Sequence, residues 1–291
     1  MNKVIRKEFR GWTDDLVAHE PDIVYSDKGD RKLKLHLVQP IEFYFSKLEG
    51  YPILKRYPVV VFAAGSGFTH PEYKGTIGRA FRIAEHGFLV AMVEYSNFLE
   101  GNTFLDTCKD FKTAIRFLRV NADQYHIDPD RFIAWGTSSG GTNAQFAAFS
   151  GNDPKYKTDE YPEYDDSVCA VVSVSAPSHL QSLIFSESPV SKLYLDYWKD
   201  HPQEKSCQEL CDEASTINLV GETPLPPVML VHGTKDLHVP FSQTEELYKK
   251  LSEFGHDAVF YQVENGGHSS VFTSEILDIG IAFAKDASQR R

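Results

Sequence analysis

The chain has 291 residues, 42% hydrophobic and 24% charged, with no biased-composition segment, so it is expected to fold throughout. Its 30 basic and 41 acidic residues leave a net charge of −11, which opposes nucleic acid or an anionic membrane surface as partner, since both attract basic patches. No run approaches the ~18 apolar residues of a membrane span, and the start, MNKVIRKEFRGWTDD, lacks a secretory signal's apolar segment, so the chain as it stands reads as soluble and cytoplasmic, with export open should a leader have been removed.

In chain order, DIVYS (22–26), the turn DKGD (27–30) and RKLKLHLV (31–38) form an antiparallel hairpin, because Leu33, Leu35 and Leu37 alternate with polar residues. Six further strands follow at 57–64, 87–95, 131–136, 167–175, 227–233 and 258–264. Their continuous apolar character suits strands covered on both faces. Helical stretches separate them: 74–87, closed by Gly87; 103–126, opening on a Thr103–Asp106 capping box; 141–150; 241–255, closed by Gly255; and 274–288. This alternation predicts one α/β domain over 1–291, a mostly parallel, twisted eight-stranded sheet with helices on both faces. Such sheets place their sites at the carboxyl ends of strands. The aromatic and polar interval 177–222 is too long for a plain connection and predicts a helical lid insertion.

The chemistry begins at FIAWGTSSGG (132–141). Gly136-Thr137-Ser138-Ser139-Gly140 fits G-x-S-x-G, and of the three hydroxyl residues only Ser138 has glycine on both sides at a spacing of two. A strand that turns sharply into a helix strains its central residue and crowds the neighbours, and glycine relieves the crowding. Ser138 is thus the predicted nucleophile, Ser139 supplies a backbone N–H to an oxyanion, and Thr137 is structural. On this reading Ser139→Ala changes little.

A serine hydroxyl needs a base, and the base needs an acid to hold its tautomer. His268 in VENGGHSS follows the last strand on a glycine-rich loop, and Asp236 in VMLVHGTKDLHVP follows the strand before it. Glu264 is the weaker substitute acid, and His232 and His238 rank as packing or rim residues. Gly65-Ser66-Gly67, directly after VVVFAA, offers further oxyanion donors, of which Gly65 and Ser66 are the favoured pair beside Ser139. Cys207 and Cys211 have helical spacing but no second pair to complete a zinc site. Cys108 and Cys169 join them as reduced structural thiols, and neither a metal nor an organic cofactor is expected.

PVVVFAAGSGF, DFKTAIRFLRVNADQYHIDPDRFIAWGTSSGG, PPVMLVHGTKDLHVPFSQTEELYKKL and VENGGH together resemble the α/β-hydrolase superfamily, in its lipase/carboxylesterase branch near hormone-sensitive-lipase-like and ferulic acid esterase-like enzymes. The resemblance runs from about Val24 to Phe283. The order Ser138, Asp236, His268 is that of the superfamily. It departs from the common H-G-G-G at Ala64-Gly65-Ser66-Gly67. The resemblance implies a serine carboxylesterase acting through an acyl-enzyme on short acyl or hydroxycinnamoyl (feruloyl-type) esters. Phe185, Tyr194, Tyr197 and Trp198 of the insertion would line the substrate pocket, unless these aromatics simply pack it onto the core. The expected partner is a small-molecule ester, and a homodimer is compatible with the sequence. A serine peptidase of the same fold and a non-catalytic ligand-binding homologue are the alternatives.

Overall fold

All eight expected strands form in one sheet, in a computed structural model that describes residues 8, 16–29, 31–71, 73–201 and 204–290. The strands are β1 (Val17–Asp27), β2 (Lys32–Pro40), β3 (Tyr57–Ala63), β4 (Leu89–Val93), β5 (Ile127–Thr137), β6 (Ala170–Val174), β7 (Val228–Gly233) and β8 (Ala258–Val263). Their order is β1-β2-β4-β3-β5-β6-β7-β8. β1 and β2 pair antiparallel, β2 meets β4 antiparallel, and the remaining pairs are parallel. β1 begins five residues before the expected Asp22, because this irregular edge strand extends its pairing to Val17 opposite Pro40 through register shifts. In the DKGD turn Gly29 takes φ +86°, and Asp30 lies outside the described residues, as does most of the N-terminal stretch 1–15.

The helices are α1 (Glu42–Glu49), α2 (Ile77–Ala84), α3 (Phe104–Val120), α4 (Ser139–Ser150), α5 (Leu180–Ile184), α6 (Pro189–Asp200), α7 (Cys207–Ala214), α8 (Ser242–Glu253) and α9 (Ser274–Gln289). The Thr103–Asp106 capping box forms, with each side chain bonded to the other residue's backbone N–H. α3 stops six residues before the expected end, since the chain reverses through a turn to His126 at φ +52° and enters β5. The short α1 has no counterpart among the sequence-based expectations. The insertion at 177–222 is helical, as α5, α6, α7 and a 3₁₀ turn, with residues 202 and 203 outside the described ones.

Period-two alternation in β5 divides the core between the two sheet faces. Phe132 and Ala134 join a cluster with Phe111 and Ile115 of α3, Ala144 and Ala147 of α4 and Leu247 of α8. Ile133 and Trp135 join the opposite cluster, with Ala80 and Ile83 of α2 and Ile281 and Ala284 of α9. The order reverses at β3: its crossover through α2 leads outward to β4, whereas β5 lies on its other side. A crevice therefore opens at the carboxyl ends of β3 and β5, between the Gly65–Gly67 loop and Ser138.

α4, which starts directly after Ser138, is buried from Ser139 to Phe149, and its buried polar residues find partners: Thr142 donates to the Pro177 carbonyl, Gln145 to Ser173 Oγ, and Asn143 Oδ1 accepts from Thr107. A fully buried ion cluster ties its far end to α3. Asp166 faces Arg116 at 2.6 Å and Lys112 at 3.1 Å, and Lys112 also donates to Ser150 and to the Gly151 carbonyl. Asp166→Leu strands two buried cations and should cost about 3–5 kcal/mol of stability in urea unfolding. A loss below about 1 kcal/mol would show that the cluster contributes little to the fold.

Candidate active site

Ser138 sits between β5 and α4 at φ 52°, ψ −128°, a conformation that costs a non-glycine residue about 1–3 kcal/mol. Surrounding bonds hold it there. Its N–H donates to the Val174 carbonyl at 2.8 Å, and its carbonyl accepts from Gly141 N–H at 2.8 Å. The flanking glycines are obligatory on steric grounds: a Cβ on Gly136 would lie 2.0 Å from the Gly140 carbonyl oxygen, and one on Gly140 would lie 2.2 Å from that of Ala63.

Asp236 and His268 arrive from the ends of β7 and β8, beyond β6. These loops are held together by Lys235 N–H donating to the Gly266 carbonyl at 2.8 Å. His268 Nδ1 meets Asp236 Oδ2 at 2.7 Å, which leaves the ring's Nε2 free of that contact. Glu264, the substitute acid, is exposed, so Asp236 is the carboxylate that orients the imidazole. The other Asp236 oxygen accepts backbone N–H bonds from His238 at 2.9 Å and Val239 at 3.0 Å. His232 does more than pack: fully buried, it brings Nε2 to 3.2 Å from Asp236 Oδ2 while its Nδ1 meets Thr244 Oγ1 at 2.6 Å. Burial pushes the Asp236 carboxyl upward, but the hydrogen bonds from His232, His268 and Val239 outweigh it and hold the group well below the usual carboxylate range. His238 lies on the rim, its ring 5.2 Å from that of His268.

The loop after β3 is organised differently from the expectation. Gly65 N–H donates to Thr137 Oγ1 at 3.0 Å, and Ser66 N–H donates to Ser139 Oγ at 2.9 Å, so both favoured oxyanion donors are engaged by hydroxyls of the elbow. Ser139 Oγ in turn lies 3.2 Å from Tyr95 Oη, and Tyr95, fully buried, donates to the Ala64 carbonyl at 2.6 Å. With one proton per hydroxyl, the chain runs from Ser66 N–H to Ser139, to Tyr95, to Ala64. Burial pushes the Tyr95 hydroxyl up to about 12 against the lowering effect of its Ser139 and Ser66 contacts, so it stays neutral. Tyr194 of α6 grips the loop from the opposite side, donating to the Gly67 carbonyl at 2.7 Å. Among the described residues, the backbone N–H groups of Ser139 and Gly67 make no hydrogen bond. The structural role given to Thr137 and the backbone-only role given to Ser139 thus become linked side-chain roles.

Ser138, Ser139, His268 and the Gly65–Gly67 loop line a cavity of about 680 Å³. The insertion contributes Leu183, Val190, Leu193 and Tyr194 to its wall. Of the four aromatics expected there, only Tyr194 reaches it. Tyr197 and Trp198 pack against Phe98 beside the cavity, and Phe185 is 54% exposed. Phe68 and Phe272 are the other aromatic walls, and Arg79 of α2 is the one Lys, Arg, Asp or Glu among the described residues of the lining.

The BD-FAE family profile matches residues 52–251. A protein of Arabidopsis thaliana named isoprenylcysteine alpha-carbonyl methylesterase ICME is 25% identical over 263 residues, 88% of this chain and 57% of that protein. Esterase LipC of Mycobacterium tuberculosis is 28% identical over 224 residues, 72% of this chain and 52% of LipC. The chain thus spans little more than half the length of these curated relatives. Among solved structures, a truncated form of a carbohydrate esterase from gut microbiota superposes with a TM-score of 0.77 at 22% identity, covering 96% of this chain and 100% of that one. Apo Thermogutta terrifontis esterase 2 gives 0.74 at 19% identity, with 92% and 94% covered. These neighbours share the α/β-hydrolase fold expected from the sequence. Since the profile covers well over half of the chain, including the loop after β3, the elbow and Asp236, the chain belongs to the BD-FAE family.

Proposed function

We propose that the chain is a serine carboxylic ester hydrolase that forms an acyl-enzyme on Ser138. The observation that carries this reading is the 2.7 Å contact by which buried Asp236 holds His268, which lines the same cavity as Ser138 in its strained elbow. His268 takes the Ser138 proton as the oxygen attacks the ester carbonyl, then returns it to the leaving alcohol. Water repeats the cycle to release the acid. Asp236 keeps its charge throughout, holds the Nδ1–H tautomer and stabilises the imidazolium. The N–H groups of Ser139 and Gly67 are the donors left for the oxyanion, each worth about 2.7–4 kcal/mol where such donors have been removed.

The family match and the esterase names of the relatives support ester rather than peptide bonds. Short acyl and hydroxycinnamoyl esters fit a wall made of Phe68, Leu183, Val190, Leu193, Tyr194 and Phe272. In this scheme the helices at 177–222 act as a lid, through Tyr194 and its neighbours on that wall.

Hydrolysis of a p-nitrophenyl ester followed from about pH 4 to about pH 9 should give a kcat/KM that falls toward acid in a single step, as the general base takes up a proton. The sign follows from the base: protonation removes it, while the depressed Asp236 carboxyl stays ionised and adds no second step near 4. Ser138→Ala should lower kcat by about 10⁴ to 10⁶-fold, and near-normal turnover by that variant would overturn the assignment. Ser139→Ala, which strips the part-buried Ser66 N–H of its acceptor, should lower kcat by about ten- to a hundred-fold, the equivalent of about 1–3 kcal/mol. An unchanged kcat would return Ser139 to a backbone role only.

A further inference from the structure

Arg79 projects from α2 into the wall of the cavity that holds Ser138 and His268. Its guanidinium carbon lies 4.3 Å from the centroid of the Phe272 ring, and the same ring meets His268 in an edge contact with centroids 6.3 Å apart. A single aromatic ring thus separates this cation from the imidazole. Stacking uses the face of a guanidinium and leaves the edge, where its five N–H donors lie, available for hydrogen bonding.

Among the described residues that edge has no protein partner: Arg79 makes neither an ion pair nor a side-chain hydrogen bond. Arg82, less than one turn further along α2, behaves in the ordinary way and reaches both oxygens of Asp278 at 3.2 and 3.3 Å. Among the described residues no aspartate or glutamate lines the cavity, although acidic residues outnumber basic ones in the chain by 41 to 30. A half-buried cation with no counter-ion among the described residues is unfavourable, and burial alone lowers the pKa of Arg79. An anion delivered by the ligand would relieve that cost and form charge-assisted, bidentate hydrogen bonds.

We propose that Arg79 is a specificity residue that receives a carboxylate carried by the ester substrate, on its acyl or its alcohol part. This rests on the esterase reading given above. One guanidinium matches a monoanion, which favours a carboxylate over a phosphate dianion. Neutral esters would enter the same cavity through its apolar wall without this contact.

Two pairs of esters place the charge on either part of the substrate: p-nitrophenyl hemisuccinate against p-nitrophenyl butyrate, and 4-acetoxybenzoate against phenyl acetate. In Arg79→Gln, the ratio of kcat/KM for the anionic member to that for its neutral partner should fall by about 10- to 100-fold in at least one pair, with partial recovery in Arg79→Lys. On the wild-type protein, glutarate should inhibit hydrolysis of the neutral butyrate ester competitively and more strongly than glutaramide, a measurement independent of how the variants fold. Ratios unchanged in both pairs, or equal inhibition by glutarate and glutaramide, would overturn the assignment of Arg79 and leave the esterase reading standing. Failure of the wild type to hydrolyse any of the four esters would overturn that reading, and this inference with it.

Discussion

Three backbone segments press together at Ser138, and the closeness of that packing is the constraint on which the site depends. The end of β3, the end of β5 and the first turn of α4 approach so closely that a methyl group on Gly136 or Gly140 would overlap a carbonyl oxygen. The strand cannot continue straight into such a corner, so the residue at its apex takes a positive φ and its side chain stands clear of both strand and helix. The local strain of a few kcal/mol at most is small against the burial of β3, β5 and α4 around it. A site built this way is held by the core of the protein and not by its loops alone.

The sheet order then determines what meets at that corner. Because β3 and β5 are neighbours whose crossovers leave on different sides, their carboxyl ends bring the Gly65–Gly67 loop against the elbow. β7 and β8, further along the same edge, deliver the carboxylate and the imidazole. Polar side chains lock these pieces in place. Thr137 and Ser139 hold the two loop N–H groups, buried Tyr95 ties Ser139 to the Ala64 carbonyl, and His232 presses on Asp236 from within the core. The hydroxyl network stands at Ala64-Gly65-Ser66-Gly67, where the resemblance implies H-G-G-G. It gives the Ala-Gly-Ser-Gly version a defined shape without that histidine.

Much of this was legible in the chain itself, for physical reasons that also mark the limit. The eight strands and the elbow are visible because their signals are local: period-two alternation, unbroken apolar runs between turns, and glycine on both sides of Ser138. The pairing of His268 with Asp236 rather than Glu264 follows from their positions after adjacent strands. What was missed depends on contacts between residues far apart in sequence. Nothing in the stretch around Ser139 says that its hydroxyl accepts from Ser66, 73 positions away, or lies against Tyr95. Likewise an aromatic on a short helix looks the same from sequence whether it points into a cavity, as Tyr194 does, or into its neighbours, as Trp198 does. The ends of β1 and α3 shifted because edge pairing and one turn at His126 override local propensity.

The identity of the activated hydroxyl is the claim on which the chemistry rests, and covalent labelling tests it without assuming a substrate. A fluorophosphonate reacts with a serine only where a base removes its proton and nearby donors hold the resulting anion. Peptide mapping of the labelled protein by mass spectrometry should find one adduct, on Ser138, and labelling should disappear in His268→Ala. An adduct on Ser139 or on a surface serine, or undiminished labelling without His268, would contradict the account.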